Sequence, residues 1–132
     1  MKQYLLSTYA VSGEVPGSPR TQQEMQTFME QVFALEDEMN ASGSFVFGGG
    51  LQLQGTDAAT AVHPNDGKVV TQPGHYVESE TQIAGFYVIS ADSLEAAMNW
   101  AGKVARATNH SIEVRPFQAT GLLKDHAPSQ SS

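Results

Sequence analysis

Four residues in one short stretch, His75, Tyr76, Glu78 and Glu80, carry side chains suited to chemistry. Imidazole titrates near neutral pH and a neighbouring carboxylate tunes it, so a His75–Glu78 pair can abstract or donate a proton. Tyr76 and Glu80 would then contact the substrate. The competing reading is a solvated loop histidine beside unrelated carboxylates. Two further substrate contacts, Tyr9 and Arg115, are expected from strands. Arg115 stands two residues from Glu113, so strand alternation points both side chains to one face. Its guanidinium can clamp a substrate carboxylate bidentately, or pair with Glu113 to close a sheet edge or a dimer seam. Tyr9 and Tyr87 could line one cleft, and core packing explains them equally well.

Other chemistries find little support. The chain has no cysteine, which removes thiolate nucleophiles, disulfides and cysteine-based zinc sites. A metal reading would use His75, Glu78 and His63 or His110, but their spacing matches no metal motif, and no metal is expected. Gly-x-Ser-x-Gly and Gly-x-Gly-x-x-Gly are both absent. Gly48–Gly50 resembles a phosphate loop only in composition. Leu-Gln-Leu-Gln-Gly follows it instead of a lysine and a helix start, so a bulge or a close backbone approach is the better reading. No cofactor is expected.

Charge narrows the partners. Seven Lys and Arg stand against 14 Asp and Glu, for a formal charge of −7. No two of the basic residues are adjacent, which argues against nucleic acid and against anionic lipid. No apolar run approaches the length of a membrane span. The opening Met1–Val11 run is short and interrupted by polar residues, and does not read as a signal peptide. A soluble cytoplasmic protein is expected.

The elements that must position these residues follow from periodicity. Residues 3–11 read as a strand apolar on both faces. Residues 12–19 are turn material. Thr21-Gln-Gln-Glu24 has the spacing of a capping box, and Ser18 before Pro19 offers a second helix start. Met25, Phe28, Met29, Val32, Phe33, Leu35 and Met39 form one broad apolar stripe, and Gly43 suits a left-handed helix end. Residues 44–53 are a second strand. Asp66-Gly67 between β-prone runs signals a hairpin. Residues 73–81 form a loop, and 82–90 a central strand. Asp92 with Glu95 starts a second helix, whose buried face is Leu94, Ala97, Met98, Ala101, Val104 and Ala105; Trp100 lies off that stripe. Ser111–Phe117 is the last strand, with Pro116 marking an edge or an end. Residues 119–132 read as a flexible tail.

Without the hairpin the order is βαββαβ, a ferredoxin-like α+β arrangement with both helices on one sheet face. The bare face then needs cover, and a second copy in a homodimer would supply it.

The block Val69–Ile89, with Pro73-Gly74-His75-Tyr76 and Gly85-Phe86-Tyr87, resembles the signature of the YCII-related, or DGPF-domain, family. Residues 92–101 and Ile112–Pro116 resemble its later elements. The resemblance spans roughly residues 1–118 and implies a dimeric α+β barrel with a cleft in each subunit. From the residues of the 73–82 loop, a small-molecule-binding protein with proton transfer of lyase or isomerase type is expected; a non-catalytic dimeric interaction module is the alternative. Two departures stand out. The family's Asp-Gly-Pro-Phe lacks its Asp here, and Glu80 holds the family's Lys position. The first-helix His of one family branch has no counterpart in residues 21–42, so its His–Asp pair does not carry over.

Overall fold

A computed structural model describes residues 2–11, 21–52 and 58–126. The turn at 12–19, the Ser18–Pro19 helix start, Leu53 and the last tail residues, 127–132, lie outside the described residues. The order is β1 (Lys2–Val11), α1 (Gln22–Ala41), β2 (Phe45–Gly50), β3 (Thr60–Asn65), β4 (Lys68–Pro73), β5 (Thr81–Ala91), α2 (Leu94–Thr108) and β6 (Ser111–Pro116), then a 3₁₀ turn at Leu123–His126.

Four strands form one sheet in the order β2-β5-β1-β6, every pair antiparallel. This is the ferredoxin-like α+β arrangement. The two longest strands, β1 and β5, lie in the middle, as their apolar character on both faces requires. The hairpin β3–β4 is a separate two-stranded sheet. Its turn residues Asp66 and Gly67 both have positive φ, 55° and 79°. That geometry matches the twist of paired strands and favours Asp-Gly.

Both helices cover the same sheet face. Tyr4, Leu6 and Ile89 pack there against Leu35, Met39, Ala97, Ala101 and Val104. The helices are narrower in their burial than their sequence stripes suggest. On α1 only Leu35 and Met39 are buried, while Met25, Met29 and Phe33 are exposed. On α2 Leu94 and Met98 are exposed and Trp100 packs against the core, so the buried stripe is rotated from the expected one. Small alanines let α2 sit close to the sheet, and the wide Trp100 ring reaches the core from the margin. Lys103 lies 4.9 Å above that ring.

The caps set the helix limits. Thr21 Oγ1 accepts from the Glu24 amide, and Glu24 Oε1 accepts from the Thr21 amide, a complete capping box. Helix α2 is capped by Ser93, not by Asp92: its Oγ accepts from the Ala96 amide at 3.1 Å. Two cap-type residues stand side by side there, and the helix begins at the second. Gly43 follows the end of α1 at φ 81°, and Asn109 closes α2 at φ 59°.

Candidate functional site

The loop residues singled out by sequence are on the surface. His75, Tyr76, Glu78 and Glu80 are all exposed, Tyr76 at 78%. No hydrogen bond or ion pair joins His75 to Glu78 or Glu80. The loop is nevertheless tied down. The Gly74 amide donates to the Ala59 carbonyl, and Gln82 Nε2 donates to the carbonyls of Val77 and Ser79. The Tyr76 ring lies 5.6 Å from the His63 ring, pinning the loop to the hairpin. Among the described residues no group of three or more His, Asp or Glu could hold a metal ion.

Tyr9 and Arg115 belong to a different surface. Both follow the odd positions of β1 and β6, on the sheet face without helices, where Arg115 pairs with Leu5 and Tyr9 with Ser111. Glu113 accepts from the Tyr9 hydroxyl at 3.4 Å, and makes no ion pair with Arg115. Leu5, Phe47, Ile83, Phe86 and Val88 lie on the same open face by register, with the Phe47 and Phe86 rings 5.9 Å apart. Tyr87 is on the opposite face, because alternation along β1 and β5 separates it from Tyr9. The two tyrosines therefore share no cleft.

A walled cleft exists elsewhere, with a volume of about 360 Å³, between α1 and the joined ends of β2 and β5. Phe28, Val32 and Glu36 line it from α1, four residues apart and so on one helix face. Tyr87, Phe45, Thr8 and the Gly48–Gly50 backbone line it from the sheet, and His110 also lines it. No residue of 73–82 lines it. Three further hollows among the described residues are open grooves lined by helix residues.

Local backbone features make room for this cleft. Between Thr8 and Tyr9 the pairing with β5 slips by one residue, leaving Ala84 as a bulge. The Ala84 carbonyl turns to accept the Leu51 amide at 2.8 Å. Gly48 lies under the Tyr87 ring: a Cβ there would come within 2.6 Å of Tyr87 Cδ1. A Cβ on Gly85 would come within 2.8 Å of the Gly49 carbonyl oxygen. Gly48 thus serves close approach to the Tyr87 ring, and Gly85 close approach to the Gly49 backbone.

Inside the cleft, Tyr87 donates its hydroxyl proton to Glu36 Oε2 at 2.5 Å. The Phe45 ring meets the Tyr87 ring edge-on at 6.3 Å and holds its plane. Burial pushes the Tyr87 phenol well above the usual tyrosine value, and the hydrogen bond to Glu36 and its negative charge push in the same direction. A phenol with a raised native value stabilises the fold fully below its ordinary value of about 10, and that contribution falls as pH rises beyond it. Chemical denaturation between pH 9 and 11.5 is therefore expected to show a steeper loss of stability in the wild type than in Tyr87→Phe. Equal slopes would contradict the half-buried phenol–carboxylate pair.

The sequence reading missed Glu36, and the signal for it was present. Glu36 lies four residues after Val32 and three before Met39, on the core-facing side of α1. A carboxylate on an apolar stripe calls for a partner.

The chain matches the YCII-related domain over residues 3–118. It belongs to the YCII-related family. The YCII-related chain is also similar to an uncharacterized protein of Rhizobium meliloti, 26% identical over 115 residues, covering 86% of this chain and 91% of that one. The matched span runs from β1 to the end of β6, so it includes both the loop and the cleft. No helix among the described residues is long and apolar enough to cross a membrane.

Proposed function

We propose that this YCII-related protein is a small-molecule-binding protein that works as a homodimer, with its ligand in the cleft between α1 and the β2–β5 edge. One observation carries the reading: a cleft of ligand size holds a hydrogen-bonded Tyr87–Glu36 pair on a largely apolar lining. Such convergence of a few polar groups on apolar walls is what a small-molecule site needs. A thermal-shift panel of metabolites tests it. A ligand at about 100 times its Kd adds about 2.7 kcal/mol, a shift on the order of ten degrees at this size. Val32→Phe, which fills the cleft from α1, is expected to abolish any such shift while the chain stays folded. A shift that survives Val32→Phe would move the ligand elsewhere.

A catalytic version of this reading assigns proton transfer to His75 and Glu78, with Tyr76, Glu80, Arg115 and Tyr9 as substrate contacts. A ligand shift abolished by His75→Ala would support it. One untouched by His75→Ala would leave the cleft as the binding site without the loop.

The second reading is a non-catalytic dimeric interaction module. The open sheet face, where Phe47 is 60% exposed beside Phe86 and Val88, supports a dimer. Both readings share the dimer, formed by two such faces packed together. Sedimentation of the wild type is expected at twice the chain mass, and Phe47→Glu at the chain mass. A monomeric wild type would overturn the dimer.

A further inference from the structure

Resting on the reading that the cleft takes a small molecule, we propose that its ligand is an amine on an aryl or alkyl body, the ammonium seated against Glu36. Glu36 is the one Asp, Glu, Lys or Arg among the described residues lining the cleft. No lysine or arginine among them stands ready to neutralise a ligand carboxylate or phosphate. Tyr87 satisfies Oε2 of Glu36 and fixes the carboxylate in place. Oε1 then keeps acceptor capacity for a second donor. An ammonium fills that role best, since a charge-assisted hydrogen bond is roughly twice as strong as a neutral one.

The walls agree with a cation on an apolar body. Phe28, Phe45 and Tyr87 line the cleft, and aromatic faces attract ammonium groups. Val32 and Leu51 add aliphatic surface for the ligand's body. An anion placed here would face the Glu36 carboxylate at reduced dielectric, with repulsion far above that in water. The chain's formal charge of −7 also favours approach of a cation.

Calorimetric titration of the full chain with three near-isosteric probes decides the matter: phenethylamine, 2-phenylethanol and phenylacetate. The amine is expected to bind at least tenfold more tightly than the alcohol, and phenylacetate not at all. Glu36→Gln retains the shape and an acceptor for Tyr87. It should weaken the amine at least tenfold and leave the alcohol within about twofold. An alcohol or carboxylate that binds as well as the amine overturns the proposal and leaves the cleft reading standing. So does an amine affinity indifferent to Glu36→Gln. Silence toward all three probes, in a chain whose melting shifts with other compounds of the panel and loses that shift in Val32→Phe, also overturns this proposal alone. A chain that responds to no compound overturns the cleft reading with it.

Discussion

Ile89→Ala is expected to cost about 2–5 kcal/mol, the range for truncating a fully buried aliphatic side chain. At this chain length that is a fall of roughly 8–20 °C in melting temperature. The reason lies in where Ile89 sits. It is 0% exposed, on the central strand β5, with Tyr4 opposite on one side and Phe45 on the other. It faces the helices, within the cluster that contains Leu6, Met39 and Val104. Those neighbours are held by two strands and two helices, so they collapse poorly into the space left behind. Val69→Ala is the matched control, since Val69 on the hairpin is 68% exposed. It should change stability by no more than about 0.5 kcal/mol. Thermal melts of the pair check this; a loss at Ile89 no larger than at Val69 would contradict the core described above.

Gly48→Ala is expected to be the most damaging change per atom added. The new methyl would press on the Tyr87 ring at 2.6 Å and 3.0 Å and on the Phe86 carbonyl oxygen at 3.1 Å. Overpacking of this kind costs about 1–3 kcal/mol. The ring cannot simply swing away, because its hydroxyl is bound to Glu36 and its edge rests against Phe45. Loss of stability should therefore come with loss of ligand-induced thermal shift. Gly49→Ala and Gly50→Ala supply the contrast. A Cβ at either position meets nothing within 4 Å, and neither residue has positive φ. Each should be neutral or stabilising by about 0.4–1 kcal/mol, because alanine restricts the unfolded chain. Denaturant titration of the three variants separates them. Equal costs at all three positions would mean that strand propensity, and not the Tyr87 overlay, explains the glycines.

Much of the fold was legible in short-range pattern. The alternation in residues 3–11 and 82–90, the Thr21–Glu24 spacing and the Asp66-Gly67 turn each specified an element that the structure contains. Their order then led to the ferredoxin-like sheet, because right-handed crossovers leave few alternatives. Errors arose where a rule could not choose between neighbours. Asp92 and Ser93 are both good caps, and the apolar stripes of α1 and α2 are wider than the contact they make.

The candidate sites show a sharper limit. His75 and Glu78 are close in sequence, and closeness in a loop does not make side chains converge. Tyr9 and Tyr87 looked like partners, yet strand alternation sends them to opposite sheet faces. Glu36 and Tyr87 are 51 positions apart and form the hydrogen-bonded pair of the cleft. Periodicity is a local property, so it could specify which residues make helices, which make strands, and roughly which face of each is apolar. Which polar group meets which depends on how β5 registers against β1 and β2, and on where α1 crosses that sheet. That register comes from long-range packing of Leu6, Ile89 and Met39 and from the close approaches at Gly48 and Gly85.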